Sequence, residues 1–230
     1  MEYNSFHIAV LQLISGCGTL EKAEFESIFE QLKTHYSEEL DVSSATPETV
    51  IETINEKIAL FDLSIRLVRY EYTDEEFYIY ISTTTSPESK LQNLYTEAEI
   101  QYFPLLMKEI ITSDEYCISS IMATNLITRL PKPMPQTRSV ELLDEWKSRG
   151  YFTQIGENVF LGPRAIEEFQ GYITANYQDF IKACFLCQKT VFKESSCKTS
   201  SCEAVFHATC INRYHEKSPN TCIACKNEWA

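Results

Sequence analysis

With 230 residues, 44% hydrophobic and 12% aromatic, the chain holds enough apolar material for more than one core and is long for a single small domain. Its formal net charge of −13 is unevenly placed: residues 176–230 carry seven Lys or Arg and five Asp or Glu, leaving 13 and 28 for residues 1–175, a balance of −15. An acidic body repels phosphate, which argues against nucleic acid gripped over the whole surface, and no apolar run approaches the roughly 18 residues of a membrane span. The opening Met1-Glu2-Tyr3-Asn4 has no signal-peptide character, so a soluble, intracellular and reducing setting is expected.

The first segment is expected to form three helices and a hairpin. Phe6, Val10 and Leu13 recur at helical spacing, and Thr19 is placed to cap a second helix with Phe25, Ile28, Phe29, Leu32 and Tyr36 on one stripe. Thr46-Pro47 opens a third, with Val50, Ile54, Ile58 and Phe61 as its buried face. Residues 64–72 and 76–82, rich in Ile, Val, Tyr and Phe, read as strands joined by the turn Thr73-Asp74-Glu75. Residues 82–90 lose all large apolar side chains and read as a linker.

The same order then repeats. Thr96 with Glu99 makes a capping-box pattern ahead of Ile100, Phe103, Met107 and Ile110, with Pro104 expected to kink or restart the helix. A shorter helix covers about 118–128, and prolines at 131–135 precede a third through Val140, Leu143 and Trp146, ending at Lys147, Arg149 and Gly150. Tyr151 to Ile155 and Val159 to Leu161 flank Gly156-Glu157-Asn158 as a hairpin, and Gly162-Pro163 launches a last helix with Ile166, Phe169, Ile173 and Tyr177.

Three helices followed by a hairpin describe a winged helix. The expected fold is α+β: winged helices at 1–85 and 91–178, then a small domain at 180–230. A winged helix can place its third helix in the DNA major groove. Here the first such helix carries Glu48, Glu52 and Glu56 against Lys57, and the second mixes Arg138, Lys147 and Arg149 with Glu141, Asp144 and Glu145. Protein interaction is therefore expected rather than direct DNA binding, since fold alone does not set function.

The last 47 residues contain Cys184, Cys187, Cys197, Cys202, His207, Cys210, Cys222 and Cys225, separated by two, nine, four, four, two, eleven and two residues. Each close pair supplies half of a tetrahedral site, and structural zinc takes four thiolate or imidazole ligands, leaving no open position. Eight ligands mean two closed zinc sites, although their pairing is left open by the spacing. A disulfide cluster is the competing reading, weakened by the expected reducing setting.

Four Cys, one His and three Cys is a ligand order shared by plant-homeodomain fingers, which read histone tails, and RING variants, which recruit ubiquitin-conjugating enzymes. A plant-homeodomain finger usually has an aromatic residue two positions before its seventh ligand, where this chain has Asn220, and no methyl-lysine cage is evident. A RING usually has an apolar residue before its second ligand and another group between its last two. Leu186, with Phe185, and Ile223 stand there, and Lys226 takes the place of the usual Arg after the eighth ligand.

Together with tandem winged helices, Tyr95-Thr96-Glu97-Ala98-Glu99 at the start of the second, and Ile118-Ser119-Ser120 within it, this module resembles the non-SMC element 1 family over essentially the whole chain. The resemblance implies a nuclear, chromosome-associated subunit of the complex built on the fifth and sixth SMC proteins. Its winged helices would bind a melanoma-antigen-homology subunit and a kleisin, and it would serve DNA repair as a RING-type ubiquitin ligase. It implies cross-brace pairing: Cys184, Cys187, His207 and Cys210 on one zinc, and Cys197, Cys202, Cys222 and Cys225 on the other. Phe185, Leu186, Ile223 and Lys226 would contact the conjugating enzyme or ubiquitin. In such a ligase the conjugating enzyme's cysteine does the chemistry and the RING positions it, so no catalytic residue is expected here. A non-catalytic assembly subunit and a chromatin reader are the alternative functions.

Other residues carry bland expectations. Cys17 and Cys117 are expected as small buried apolar groups, His7 and His35 as packed or surface histidines, His215 as a non-ligand, and Trp229 as module core.

Overall fold

The computed structural model describes residues 3–83, 95–217 and 221–229. They form two compact units, one of residues up to Tyr70 with Glu75–Gly171, the other of Glu71–Asp74 with residues from Tyr172 onward. Among the described residues no helix is long and apolar enough to cross a membrane. The linker expected at 82–90 lies largely outside the described residues, and Ser82 ends a strand.

In the first unit the chain runs α1 (Ser5–Cys17), β1 (Thr19–Glu21), α2 (Lys22–Tyr36), α3 (Pro47–Ile58), β2 (Leu63–Arg69) and β3 (Glu76–Ser82). Thr46 accepts the Thr49 N–H at 3.3 Å and Pro47 fills the first helical position, where a missing N–H costs nothing. Phe6, Val10 and Ile14 of α1 meet Phe25, Phe29, Val50, Ile54 and Tyr78 in one core. Thr19 does not cap α2. It opens β1, antiparallel to β3 with Leu20 opposite Tyr78, and its hydroxyl donates to the Arg149 carbonyl at 3.0 Å. Phe61 is not on the buried face either: α3 gives way to a tighter turn over Ala59–Phe61, which leaves Phe61 72% exposed. The Asn55 side chain, on α3, donates to the Ile65 carbonyl at 2.9 Å and accepts its N–H at 2.8 Å, satisfying backbone groups on the outer strand of the β1-β3-β2 sheet.

The second half of this unit repeats the order as α4 (Glu97–Ile111), β4 (Cys117–Ser119), α5 (Ser120–Asn125), a tight turn Leu126–Arg129, α6 (Gln136–Ser148), β5 (Phe152–Ile155), β6 (Asn158–Leu161) and α7 (Pro163–Glu168), after which α8 (Gln170–Asn176) carries the chain into the second unit. Helix α4 continues through Pro104 without a restart, held on either side by buried Tyr102, Phe103, Leu106 and Met107. The expected start of a helix at 118 is instead strand β4, with Ser119 capping α5 by accepting the Met122 N–H at 3.1 Å. Val140 is 45% exposed, and Ser139, Leu142, Leu143 and Trp146 form the inner face of α6. Asn158 pairs with Ile155, so the hairpin loop is Gly156-Glu157, with φ +60° at Gly156, as a two-residue turn with glycine first requires. The last helix breaks into α7 and α8 at Phe169. Phe103 centres this core, edge-on to Trp146 at 5.0 Å and to Tyr151 at 5.2 Å. Cys17 is exposed and Cys117 half-buried, so Cys17 departs from the expected burial because α1 turns its last residues to solvent.

The two halves of the first unit join through buried polar contacts. The Tyr70 hydroxyl donates to the Leu161 carbonyl at 2.9 Å, and Glu168 accepts both the Ser82 N–H and Arg164 Nε, at 3.2 and 2.9 Å. Within the second half Glu99, 6% exposed, accepts the Thr96 N–H at 2.7 Å and Arg138 Nε at 2.6 Å. Burial alone would raise its pKa, but the Thr96 N–H and Arg138 outweigh it and hold the carboxyl below the ordinary value. A lowered folded-state pKa stabilises above the unfolded value and that contribution is lost as pH falls through the folded one. Glu99→Gln is therefore expected to cost about 1–2 kcal/mol at pH 7, and the gap to wild type should narrow in urea titrations as pH falls below the ordinary glutamate range and through the lowered folded-state pKa. A gap unchanged with pH would exclude the carboxylate as its source.

Candidate metal centre

The second unit contains β7 (Lys182–Ala183) paired with β8 (Thr190–Val191), β9 (Ser195–Ser196) paired with β10 (Val205–Phe206), and α9 (Ala208–His215). Two of its turns are built alike. In the first, Gln188 N donates to the Cys184 carbonyl at 2.8 Å and Cys184 N to the Lys189 carbonyl at 2.8 Å. In the second, Lys226 N donates to the Cys222 carbonyl at 2.8 Å and Cys222 N to the Asn227 carbonyl at 2.7 Å. The residue after each closing cysteine is left-handed, Gln188 at φ +60° and Lys226 at φ +66°, which wraps the backbone back around both sulfurs. A third pair spans the start of α9, where His207 precedes the first turn and Cys210 lies within it.

These turns bring together Cys184, Cys187, His207 and Cys210 in one cluster and Cys197, Cys202, Cys222 and Cys225 in another, the ligand atoms of each lying within 4.8 Å of one another. The first pair thus joins the third, and the second joins the fourth. In the second cluster Cys197 Sγ lies 3.7 Å from Cys225 Sγ and Cys202 Sγ lies 3.8 Å from Cys222 Sγ. A disulfide would require about 2.05 Å. Tetrahedral metal–sulfur bonds of about 2.3 Å instead place sulfurs about 3.8 Å apart, and a nitrogen ligand about 3.6 Å from sulfur. His207 Nδ1 is 3.3 Å from Cys187 Sγ and 3.8 Å from Cys210 Sγ, bracketing that value. Both donor sets fit a metal ion with all four positions taken by protein, so neither site leaves room for substrate on the metal.

The ligands themselves are much of the module's core. Cys184, Cys197 and Cys222 are buried with Val191, Val205, Phe206 and Ile211, and Trp229 packs against them, its ring 5.5 Å from Phe206. Without a cation the thiols disturb one another. Burial and the neighbouring Cys187 and Cys184 push Cys210 up to about 12, whereas backbone N–H groups overcome burial and bring Cys184 down to about 7. Metal binding resolves the conflict, because it takes all as thiolates and releases their protons.

Of the residues flanking the ligands, Phe185 is 48% exposed and Lys226 is exposed, whereas Leu186 and Ile223 are half-buried and pack against the module core. His215 belongs to neither cluster; its ring lies 5.3 Å from that of Trp229. Asn220 lies outside the described residues. His207 Nε2, facing away from the sulfurs, is 3.0 Å from the Thr190 carbonyl and 3.5 Å from Glu71 Oε1. Nothing in the sequence marks Glu71 for this place, since an acid between two tyrosines far upstream has no spacing relation to the ligands.

Two interleaved clusters, one of three cysteines and a histidine and one of four cysteines, make this a protein in which an α+β body is followed along the chain by a small module whose clusters could each hold a metal ion. Residues 7–168 match the family described as the Nse1 non-SMC component of the SMC5-6 complex. The chain is 30% identical over 182 residues to a Non-structural maintenance of chromosomes element 1 homolog of Drosophila melanogaster, covering 78% of this chain and 76% of that protein. To the homolog of Homo sapiens it is 25% identical over 227 residues, 97% of this chain and 83% of the relative. A chain of the solved Nse1-Nse3-Nse4 complex matches the fold with a TM-score of 0.79 at 23% identity, over 100% of this chain and 98% of that one. The chain belongs to the Nse1 family of SMC5-6 components.

Proposed function

We propose that this chain is a subunit of an SMC5-6-type chromosome complex in the nucleus, partnered by a melanoma-antigen-homology subunit of the Nse3 kind and a kleisin of the Nse4 kind. The family match over residues 7–168 is the observation that carries this reading. The two halves of the first unit act as winged helices, a reading supported by a short strand after each first helix and a C-terminal hairpin in each. They serve as protein-binding surfaces, in keeping with the acidic body, rather than as a DNA grip. Purification of the tagged full chain from cells should retain SMC, Nse3-like and Nse4-like subunits; their absence would end this assignment.

The metal in both clusters is zinc, because closed tetrahedral sites of thiolate and imidazole are its usual setting. On this reading the module is RING-like and acts as a ubiquitin ligase in DNA repair. It docks a conjugating enzyme at Phe185, Leu186 and Ile223, and Lys226 holds ubiquitin so that the thioester is presented to the substrate amine. Leu186 and Ile223 spend much of their surface on the module's own core, so Phe185 and Lys226 are the cleaner probes. Phe185→Ala and Lys226→Ala should keep two zincs per chain yet slow ubiquitin discharge from a charged conjugating enzyme about tenfold each, measured with the Nse3-like partner present. Unchanged discharge in both would favour a module that only mediates assembly, a reading to which the partial burial of Leu186 and Ile223 lends weight.

A further inference from the structure

We propose that Glu71 is the outer carboxylate of the Cys184, Cys187, His207 and Cys210 metal site, a positioning residue supplied by the loop Glu71–Asp74. The proposal rests on the reading of that cluster as a metal site. The loop is grouped with the second unit although its flanking residues, Tyr70 and Glu75, belong to the first. One carboxylate oxygen, Oε2, accepts the backbone N–H groups of Phe192 and Lys193 at 3.1 and 2.9 Å. The other, Oε1, stands 3.5 Å from His207 Nε2, and both side chains are only 13% exposed. The neighbouring Tyr72 adds two further bonds: its hydroxyl donates to the Phe192 carbonyl at 3.3 Å, and its carbonyl accepts from Lys193 Nζ at 3.2 Å.

The chemistry follows from which imidazole nitrogen faces which group. Nδ1 lies among the sulfurs, so in a metal-bound ring Nε2 must keep the proton. That N–H points at the carbonyl of Thr190, which with Val191 makes up the short strand β8. Glu71 fastens the two residues immediately after that strand and so holds the accepting carbonyl in place, while its second oxygen puts negative charge beside the ring. A metal-bound imidazole becomes a better donor through Nε2, and an acceptor fixed beside it raises the basicity of the ligating nitrogen; losing such a partner commonly costs 10–100-fold in metal affinity. The carboxylate therefore orients the histidine and strengthens it as a ligand without touching the metal.

Zinc competition against a chromophoric chelator, run on the full chain, tests this. Wild type should release zinc in two steps of one equivalent each, and Glu71→Ala should weaken one step about 10–100-fold while leaving the other in place. Hydrogen exchange of the Phe192 and Lys193 amides should quicken in the same variant. Glu71→Gln, which keeps an oxygen for those amides but not the charge, should restore their protection and only part of the affinity, and this separates a local structural role from an electrostatic one. If both release steps match wild type in Glu71→Ala, the proposal is overturned and the metal reading stands. If wild type itself binds no zinc, both fall together.

Discussion

Removal of metal is expected to unfold the terminal module and spare the body. Apparent binding free energies in small zinc modules are on the order of 10–16 kcal/mol, whereas a core below about 80 residues rarely contributes more than 3–5 kcal/mol by itself. Here Cys184, Cys197 and Cys222 are themselves core residues, so losing the ion also leaves closely spaced sulfurs, with no cation to offset thiolate charge, where Val191 and Phe206 pack. Cys184→Ser should release one site and Cys222→Ser the other, and because the two ligand sets interleave along the chain each change should loosen the whole module. Hydrogen exchange would show this as lost protection at Cys184, Gln188, Cys222 and Lys226, whose N–H bonds close the cysteine-bearing turns. Amides around Phe29, Ile54, Phe103 and Trp146 should stay protected. Uniform loss over the chain would mean that module and body unfold as one.

The second large effect is expected at Gly150. Its φ is +76°, and a Cβ there would lie 2.1 Å from Thr19 Oγ1 and 2.6 Å from Thr19 Cβ, closer than atoms approach. Two costs add: a left-handed backbone costs an L-residue roughly 1–2 kcal/mol, and the clash would drive β1 away from the turn that receives the Thr19 hydroxyl. Gly150→Ala should destabilise the first unit by roughly 3–4 kcal/mol, lowering its thermal midpoint by on the order of 10 °C. Thr19→Gly in the same chain should recover the part due to the clash and not the part due to φ. If the double variant is no more stable than Gly150→Ala, the close approach of the two halves at this point is not what makes glycine necessary. Gly162 repeats the constraint from the other side, with a Cβ falling 2.3 Å from the Gly150 carbonyl oxygen.

Where local chemistry decides structure, it can be read along the chain. Thr46-Pro47 and Thr96 with Glu99 start helices because caps and first-turn residues act within four positions, and the cysteine pairs announce metal because tetrahedral geometry demands close spacing. Strands β1 and β4 were not legible. Each is three residues long, too short for alternation to register, and each exists because the later hairpin offers an unpaired edge. Thr19 looks like a cap for the same reason: its partner, the Arg149 carbonyl, lies in the other half of the unit. Phe61 and Val140 fit helical periodicity but face outward, since periodicity says which residues share a face and not where that face stops being covered. Glu71 is the extreme case, a residue whose surroundings come wholly from tertiary structure.

The interleaving of ligand pairs sets a timetable for a chain emerging from the ribosome. Cys184, Cys187, Cys197 and Cys202 appear first and could by themselves satisfy one ion, yet in the finished module they are divided between two. A nascent chain at about 5–20 residues per second passes through that state for a second or so before His207 and Cys210 follow. An ion captured at that stage would have to be handed over, Cys197 and Cys202 giving way to the His207 pair and waiting for Cys222 and Cys225. For any ion captured at that stage, maturation of the module would include a ligand exchange as well as a folding step, and excess metal ion during synthesis would favour the wrong partners.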